Sequence, residues 1–324
     1  MKLPTLILSY FSMNVNTQSG IVAAKTEAQF TEDHVSSDDI DMIEFYKAVN
    51  KFQAEGYLVS IPNHESVQVL MCFNFRPDVA AYGTYDFIIY GFTAIAAHFE
   101  KSVMPIVITK KDKSLDIGTG FLLGNTSTLV TARHVVEGAE LIQISDRSGG
   151  FAAARSITLS TDSNIDIALI LLSSFSFTNN PPFNIDDAEI LEDVMTIGYP
   201  PIPGFDAIQL YETASINNSY KFSKGQIIGK DIAYLDGIEY ILINAKVKGG
   251  NSGSPVINRK GSVVGMIVQI PTDSQDASKL DSLGYGIVTP SSEINKLLAS
   301  IEKGGDIVKH EVLNTDKGFK IASA

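Results

Sequence analysis

The sequence predicts a mainly β protein whose larger part follows a small α+β region. From about Val103 onward, short runs rich in β-branched and aromatic residues recur roughly every 8 to 12 residues, with Gly, Asn or Asp between them. This pattern is typical of an all-β sandwich or barrel. Before Val103, apolar residues at helical spacing alternate with strand-like runs. The length of 324 residues and the hydrophobic share of 44% are sufficient for one large domain or two ordinary ones.

The first 102 residues are predicted to form a small α+β extension of unknown role. Residues 14–37 are polar and indicate a linker or a loosely ordered arm. A helix is then predicted from apolar residues at helical spacing, which are Ile40, Ile43, Tyr46, Val49 and Phe52. The runs YLVSI, SVQVLMCFNF and YDFIIYGF are predicted strands, and TAIAAHFEK is a predicted helix. The extension carries no motif for chemistry and could bind a regulator.

Residues 103–301 are predicted to form one β-rich domain around a Pro-rich joint, NNPPFN, at residues 179–184. About six strand-like runs lie on each side of the joint, without a clear repeat between the two sets. A closing helix is predicted from Thr289 and Pro290 through EINKLLASI, since Pro is favoured in the first helical turn. Residues 302–324 are expected to form a C-terminal tail that is too short for a further domain.

Charge and composition exclude several classes of function. The formal net charge of −12 argues against binding to nucleic acid or to an anionic membrane, because phosphate groups attract clustered Lys and Arg. The sequence contains no HExxH pattern and no Gly-rich phosphate loop, so we expect neither a metal site nor a cofactor. No stretch is long and apolar enough to cross a bilayer, so membrane insertion is not expected.

The single cysteine, Cys72, bears on the cellular compartment. One cysteine forms neither an internal disulfide nor a metal site built on several thiolates, which fits a reducing compartment. Cys72 lies in an apolar run and is expected to be a buried structural thiol. The opening residues MKLPTLILSYFSM loosely resemble a signal peptide, but polar residues dilute the apolar stretch and no small-x-small cleavage site follows promptly. A cytoplasmic location is predicted, with export as the alternative.

One short segment, KVKGGNSGSPVIN at residues 246–258, raises a question of chemistry. Ser252 lies among Gly249, Gly250 and Gly253, and glycine costs conformational entropy unless the backbone needs a positive φ or a close approach. The segment fits a plain loop between two strands. It fits equally well a nucleophilic serine whose neighbouring backbone N–H groups face a developing oxyanion. The segment alone does not separate these interpretations.

A nucleophilic serine needs a base within reach and a group that orients this base. Among the five histidines, His134 in LVTARHVV follows an apolar strand where a short helical turn could begin, so its side chain can project into a cleft. The other four have ordinary surroundings. Asp166 heads the apolar run DIALILLS, where a carboxylate is costly to bury unless a group such as a histidine N–H donates to it. Asp162, in a polar turn, is the weaker candidate.

In chain order, the motifs GTGFLLGN, LVTARHVV, DIALI, TIGYP and GNSGSPV resemble those of the trypsin-like, chymotrypsin-fold serine peptidases. The similarity is greatest to the disulfide-free bacterial branch related to the HtrA and glutamyl-endopeptidase groups. The order His, Asp, Ser along the chain is that of the chymotrypsin-type enzymes. The resemblance covers about Val103 to Ile301 and implies two six-stranded antiparallel β-barrels with a C-terminal helix. The tail has no room for the PDZ domain of many HtrA relatives, and the oligomeric state stays open.

The resemblance also implies a role for each site residue. His134 would be the general base and then the general acid, Asp166 would hold its imidazole, and Ser252 would be the nucleophile. The backbone N–H groups of Gly250 and Ser252 would form the oxyanion hole. This assignment favours a serine endopeptidase that acts on protein or peptide substrates through an acyl-enzyme. The alternative is a catalytically silent protease-fold module that binds or regulates.

Two departures limit what the resemblance implies. Animal-type relatives carry an Asp immediately before the serine, paired with a new N-terminus released on activation, whereas this chain has Asn251. We therefore expect no activation by N-terminal cleavage. The family's substrate pocket would be lined by Lys246, Val268 and Gly286, with Gly286 leaving room. A pocket-facing Lys246 would favour an acidic P1 side chain, and an outward, solvated lysine is the alternative, so no P1 specificity is assigned.

Overall fold

The computed structural model describes residues 2–12, 24–34, 40–62, 67–146, 150–173, 177–200, 220–232, 237–268 and 285–322. The chain divides into two compact units, Met1–Ile95 and Ala96–Ala324. The sequence placed the boundary after residue 102, a few residues later. Within the described residues, no helix is long and apolar enough to cross a bilayer.

The first unit combines short helices with a small sheet around an aromatic core. Phe30 and Phe45 are fully buried, and their rings stack with centroids 4.6 Å apart. Cys72 is buried as predicted, and burial raises the pKa of its thiol. The elements are α1 (Leu3–Tyr10), α2 (Glu27–His34), α3 (Met42–Ala54), β1 (Val59–Pro62), β2 (Gln68–Met71), α4 (Pro77–Tyr82) and α5 (Thr84–Tyr90).

Helix α3 confirms the helical spacing after residue 40. The carboxylate of Asp41 caps its first turn by accepting from the N–H of Ile43 at 2.8 Å, which satisfies one of the unpaired amides of a helix start. The buried face consists of Phe45, Ala48, Val49 and Phe52, whereas Ile43 and Tyr46 are exposed. Helix α2 lies within the stretch predicted as a polar arm, and residues 14–23 and 35–37 of that arm lie outside the described residues.

The prediction of a strand at YDFIIYGF is wrong, because Thr84–Tyr90 forms helix α5. Helix α6 (Phe92–Phe99) follows at once, as predicted from TAIAAHFEK, and a 3-10 turn over Glu100–Ser102 leads into the strand that begins at Val103. Gly83 and Gly91, both at positive φ, separate the consecutive helices. A short apolar run of this length does not distinguish a strand from a buried helical segment by periodicity.

The second unit contains two closed barrels, which confirms the predicted mainly β, two-barrel fold class. In the first barrel the strands are arranged in the order β15-β16-β6-β3-β4-β5-β8-β7. Helix α7 (Arg133–Val136) follows β5. The strands are β3 (Val103–Thr109), β4 (Leu115–Leu122), β5 (Thr128–Thr131), β6 (Leu141–Ile144), β7 (Ala154–Ser160), β8 (Ala168–Leu172), β15 (Ile307–Thr315) and β16 (Gly318–Ile321).

The second barrel has the predicted six strands, in the order β10-β11-β14-β13-β12-β9. Its core is aliphatic, with Val194, Ile227, Ile243 and Val256 fully buried. Helix α8 (Ser291–Lys303) follows the last strand and is the predicted closing helix. The strands are β9 (Asp193–Gly198), β10 (Lys221–Ile232), β11 (Glu239–Ile243), β12 (Pro255–Asn258), β13 (Val263–Ile267) and β14 (Gly286–Pro290).

The first barrel has eight strands rather than six, because the residues predicted as a tail supply two of them. Strand β15 pairs with β7 from Ile307 opposite Ser160 onward, and β16 pairs with β6 through Phe319 opposite Ile142. Phe319 is fully buried. Most side chains of β15 are exposed, so its sequence mixes polar and apolar residues and resembles a solvated segment.

The Pro-rich joint between the barrels is tied to both of them. Phe183 donates its N–H to the carbonyl of Leu122 in the first barrel at 2.9 Å. The next residue, Asn184, accepts from the N–H of Val263 in the second barrel at 2.8 Å. The ring of Phe183 is fully buried and stacks on Phe99, with centroids 4.1 Å apart. The joint therefore fixes the two barrels relative to each other through adjacent backbone groups.

Candidate active site

His134 lies on the short helix α7, directly after strand β5. The two following residues, Val135 and Val136, are buried and anchor the helix on the barrel. A Cβ at Gly118 in strand β4 would approach the side chain of Val135 to 2.6 Å, so the glycine of the GTG motif lets α7 lie close to the sheet. The side chain of His134 remains 40% exposed, which leaves its ring accessible at the end of the barrel.

Asp166 contacts His134 through two hydrogen bonds. Its Oδ2 lies 2.7 Å from Nδ1 of the imidazole, and its Oδ1 accepts from the backbone N–H of the same histidine at 2.9 Å. The side chain of Asp166 is 14% exposed, so the pair is partly shielded from water. Because Nδ1 faces the carboxylate, Nε2 is the ring nitrogen that remains for other contacts. The competing residue Asp162 instead accepts from the N–H of Asn164 in its own turn.

Ser252 lies in a tight turn that leads into strand β12. The N–H of Asn251 donates to the carbonyl of Lys248 at 3.0 Å, and that of Ser254 donates to the carbonyl of Asn251 at 2.8 Å. Gly250 and Gly253, on either side, have φ of 87° and 85°. L side chains rarely adopt such values, so the turn needs glycine at these two positions. The backbone requirement therefore explains the glycines around Ser252.

Thr119 in strand β4 joins the Ser252 turn to the first barrel. Its N–H donates to the carbonyl of Ser252 at 2.9 Å, and its hydroxyl donates to the carbonyl of Gly250 at 2.8 Å. Its own carbonyl accepts from the hydroxyl of Thr131 at 2.7 Å, at the end of β5. The same hydroxyl of Thr119 accepts from the N–H of Tyr199 at 3.2 Å, in the TIGYP segment.

The turn approaches the residues before His134 very closely. A Cβ at Gly253 would overlap the carbonyl oxygen of Thr119 and would lie 3.1 Å from the backbone nitrogen of Ala132. Ala132 precedes His134 by two residues. The structure thus brings His134 and Asp166 into direct contact and seats the Ser252 turn on the strand that leads to His134. Sequence reasoning missed Thr119 and Thr131, although GTG and LVTA, which contain them, were among the motifs of the resemblance.

The residues predicted to line a substrate pocket lie in three different settings. Lys246 is exposed. Val268 is buried, and its N–H donates to the carbonyl of Ile287 at 3.1 Å. The space next to Gly286 is occupied, since a Cβ there would lie 2.6 Å from the side chain of Val247 and 2.8 Å from that of Ile243. Residues 269–284 lie outside the described part of the chain.

The sequence also predicted that the protein would have no metal site. Among the described residues, no group of three or more His, Cys, Asp or Glu side chains is arranged to hold a metal ion. Hydrogen bonds between protein groups hold the site residues described above. It combines a histidine–carboxylate pair on one barrel with a glycine-flanked serine turn on the other.

Comparison with known families adds to this geometry. Residues 118–266, which include His134, Asp166 and Ser252, match the model of the trypsin-like peptidase domain. This part of the chain is similar to the trypsin-like peptidase domain. The match confirms the family that the sequence motifs indicated, the trypsin-like serine peptidases.

The peptidase domain also has curated relatives and structural neighbours. A DegP-like periplasmic serine endoprotease of Pseudomonas savastanoi pv. phaseolicola is 28% identical over 167 residues, which are 51% of this chain and 31% of that protein. A DegP-like relative from Rickettsia prowazekii is 28% identical over 204 residues, 62% of this chain and 36% of that protein. The active form of the Rv3671c protease of M. tuberculosis is 22% identical with a TM-score of 0.47, covering 64% of this chain and 83% of that one. The chain spans about a third of the length of these curated relatives.

The predicted cytoplasmic location is wrong. Curated relatives that match this part of the chain are named as periplasmic endoproteases, not as cytoplasmic ones. The prediction rested on the single cysteine and on the weak resemblance of the opening residues to a signal peptide. A chain without disulfides is compatible with an oxidising compartment when its core is large enough to be stable without cross-links.

Proposed function

We propose that this protein is a serine endopeptidase that hydrolyses peptide bonds through an acyl-enzyme. One observation carries the proposal. Thr119 binds the carbonyls of both Gly250 and Ser252, and thereby docks the serine turn on the barrel in which His134 is hydrogen-bonded to Asp166. These are the three residue types that acyl transfer by serine requires.

Each residue has a distinct role in the proposed reaction. Nε2 of His134 takes the proton of the Ser252 hydroxyl as the oxygen attacks the substrate carbonyl, and then gives this proton to the leaving amine. Asp166 holds the ring by its Nδ1 side and stabilises the imidazolium that forms. A water activated by the same histidine then hydrolyses the acyl-enzyme and releases Ser252.

The Ser252 turn supplies the proposed oxyanion hole. Thr119 binds the carbonyls of Gly250 and Ser252, which fixes the peptide groups that follow these two residues and so holds the turn between them in place. We propose that the N–H groups of Gly250 and Ser252 bind the oxyanion of the tetrahedral intermediate. Removal of one such donor typically costs roughly 3 kcal/mol of transition-state stabilisation.

Labelling with a fluorophosphonate probe tests the proposal. The wild-type protein is expected to react covalently at Ser252, because the probe needs an activated serine next to an oxyanion hole. Ser252→Ala and His134→Ala should abolish labelling, whereas Ser114→Ala, which changes an exposed serine in the first barrel, should label at the wild-type rate. A folded wild type that remains unlabelled and cleaves no peptide would contradict the proposal and favour a silent binding module.

Protein or peptide substrates and an extracytoplasmic location complete the proposal. Both are supported by the printed names of the relatives, which are periplasmic endoproteases. A peptide-library profile would reveal the P1 preference. Fractionation of cells that produce the protein would test its location, and recovery with cytoplasmic markers alone would contradict export.

We further propose that residues 1–102 recruit a regulator or a substrate for the peptidase domain at residues 103–301. The support is that the first unit packs a core of its own, which includes Phe11, Phe30, Phe45 and Phe52. Cleavage of a folded protein and of a short peptide should be compared between the whole chain and a chain that begins at Phe92. Slower cleavage of the protein substrate alone would support recruitment, and identical rates on both substrates would refute it.

A further inference from the structure

Arg133, immediately before His134, is a charged residue in a largely buried position. Its side chain is only 13% exposed, although a guanidinium remains charged in proteins and is costly to bury without hydrogen-bond partners. The proposed reaction assigns it no role. Its contacts therefore need a separate explanation.

The guanidinium of Arg133 is occupied on two sides. Nη1 donates to the backbone carbonyls of Ser160 at 3.0 Å and of Asp162 at 3.2 Å. On its other side, Nε and Nη2 donate to the carboxylate of Glu137, at 3.2 and 3.0 Å to Oε1. Glu137 is the C-cap residue that follows helix α7, and its side chain is 56% exposed, so this ion pair lies at the surface and contributes little. The contacts to the two carbonyls are the ones that reach another part of the chain.

The two carbonyls belong to the segment that leads into Asp166. Ser160 ends strand β7, and the turn that follows continues through Asp162 to Asp166. Within the turn, the N–H of Ile165 donates to the same carbonyl of Asp162 at 3.3 Å. The same turn also binds the C-terminal segment, because the N–H of Thr161 donates to the carbonyl of Asp306 at 3.1 Å. Arg133 and the C-terminal segment thus both hold this turn.

Two consecutive residues of α7 therefore bind the same segment by different means. His134 binds the carboxylate of Asp166 with its backbone N–H and its ring, and Arg133 binds the carbonyls of Ser160 and Asp162. A shift of the turn would move Asp166 relative to the ring of His134, and the carbonyl contacts oppose this shift. Fixed geometry of this kind matters because a displacement of about 1 Å in an active site can reduce the rate by about 100-fold.

We propose that Arg133 is a positioning residue that holds Asp166 in register with His134 by clamping the turn before it. This inference rests on the proposed function, because it concerns the orientation of the proposed base. Arginine suits the task since its planar fork donates in fixed directions, here to two carbonyls at once and to Glu137. A lysine would supply the charge as a single point and would not reproduce the fork.

Kinetics of Arg133 variants in the whole chain test the clamp. Arg133→Ala should lower kcat by about 10- to 100-fold with KM changed by less than about two-fold, because the residue acts on His134 and not on the substrate. Arg133→Lys should fall between this variant and the wild type. Glu137→Gln leaves the carbonyl contacts in place and should stay within about three-fold of wild type. Arg155→Ala, which removes an exposed arginine of strand β7, is the matched control and should be neutral.

A second readout does not depend on turnover. The downfield proton resonance of Nδ1–H of His134 reports its hydrogen bond to Asp166, and we expect it to be lost through solvent exchange in folded Arg133→Ala and retained in Arg155→Ala. A retained resonance in folded Arg133→Ala would overturn the clamp, as would a rise in KM at unchanged kcat. A wild type that shows the resonance but neither labels nor cleaves would overturn the proposed function alone, and the resonances of the variants would still decide the role of Arg133.

Discussion

The two barrels hold their parts of the candidate site in different ways. In the first barrel, the side chains of His134 and Asp166 bind each other, and Arg133 reaches across to the neighbouring turn. In the second barrel, the turn around Ser252 is held by its backbone, through positive φ angles at Gly250 and Gly253 and through carbonyls bonded to Thr119.

This difference determines which substitutions each barrel tolerates in its part of the candidate site. A side-chain contact fails when the chemistry of one group changes, even if the new side chain has the same shape. A backbone turn fails when any Cβ is added where glycine is needed, whatever the chemistry of the new side chain. A substitution that changes chemistry but not shape should therefore damage the part of the site in the first barrel. A substitution that adds only a Cβ should damage the part in the second barrel.

The largest effect is expected for Asp166→Asn in the first barrel. The amide has nearly the same shape but places an N–H where Nδ1 of His134 needs an acceptor, so the wrong tautomer is favoured and kcat should fall by about 10⁴-fold. Peptide turnover measures this loss. Asp162→Asn is the matched control, because Asp162 uses one carboxylate oxygen to accept from Asn164, and its kcat should stay near wild type. Equal losses in the two variants would show that the contact of Asp166 with His134 is not the cause.

A smaller effect, and one on stability, is expected for Gly253→Ala in the second barrel. The new Cβ would overlap the carbonyl of Thr119 at a residue with a φ of 85°, so the free energy of unfolding should fall by at least about 2 kcal/mol, with loss of labelling at Ser252. Gly249→Ala is the control, since a Cβ there has nothing within 4 Å, and its stability should change by less than about 0.5 kcal/mol. Urea unfolding midpoints give both values. Equal midpoints for the two variants would contradict the requirement for glycine at position 253.

The smallest effect is expected at Asp186, two residues after the joint. The Lys260 ammonium holds the pKa of the Asp186 carboxyl below its usual range, against the opposing effect of burial. A third of the Asp186 side chain is exposed, so Asp186→Asn should cost less than about 1 kcal/mol at pH 7. Because the pKa is lower in the folded state, the stabilisation is complete above the unfolded value of about 3.9 and is lost as the pH falls through the folded pKa.

Urea midpoints at pH 7, 5 and 3 test this dependence. The difference between wild type and Asp186→Asn should be the same at the two higher pH values and smaller at the lowest one. Asp187→Asn, at the exposed neighbouring residue, is the control and should follow the wild type. A difference that grows toward low pH would mean that the pKa of Asp186 is raised on folding.

Most of the fold could be predicted because its signals are local. The strand runs that form the two barrels, the Pro-rich joint and the closing helix have turn residues on both sides, and most of them are found among the described residues. The failures have physical causes. Helix α5 was mistaken for a strand because a seven-residue apolar run carries no clear period. Strands β15 and β16 were missed because their partners, β7 and β6, lie more than a hundred residues earlier in the chain, and β15 is largely exposed.

The candidate site, like the fold, could be predicted from the sequence only in part. The contact between His134 and Asp166 could be expected from motifs, and so could the glycines around Ser252. The contacts of Thr119 and Arg133 could not, because both residues act on backbone carbonyls of distant segments, and a backbone carbonyl has no signature in the sequence. Their roles follow from the register of the strands that bring these segments together.

The position of β15 has a consequence for synthesis on the ribosome. A nascent chain can complete the second barrel once β14 has emerged, whereas the first barrel stays open until residues 307–321 follow. The turn before Asp166 gains its contact with Asp306 only at that moment. We therefore expect proteolytic competence to arise after the last strands are translated, which would spare neighbouring nascent polypeptides from premature cleavage.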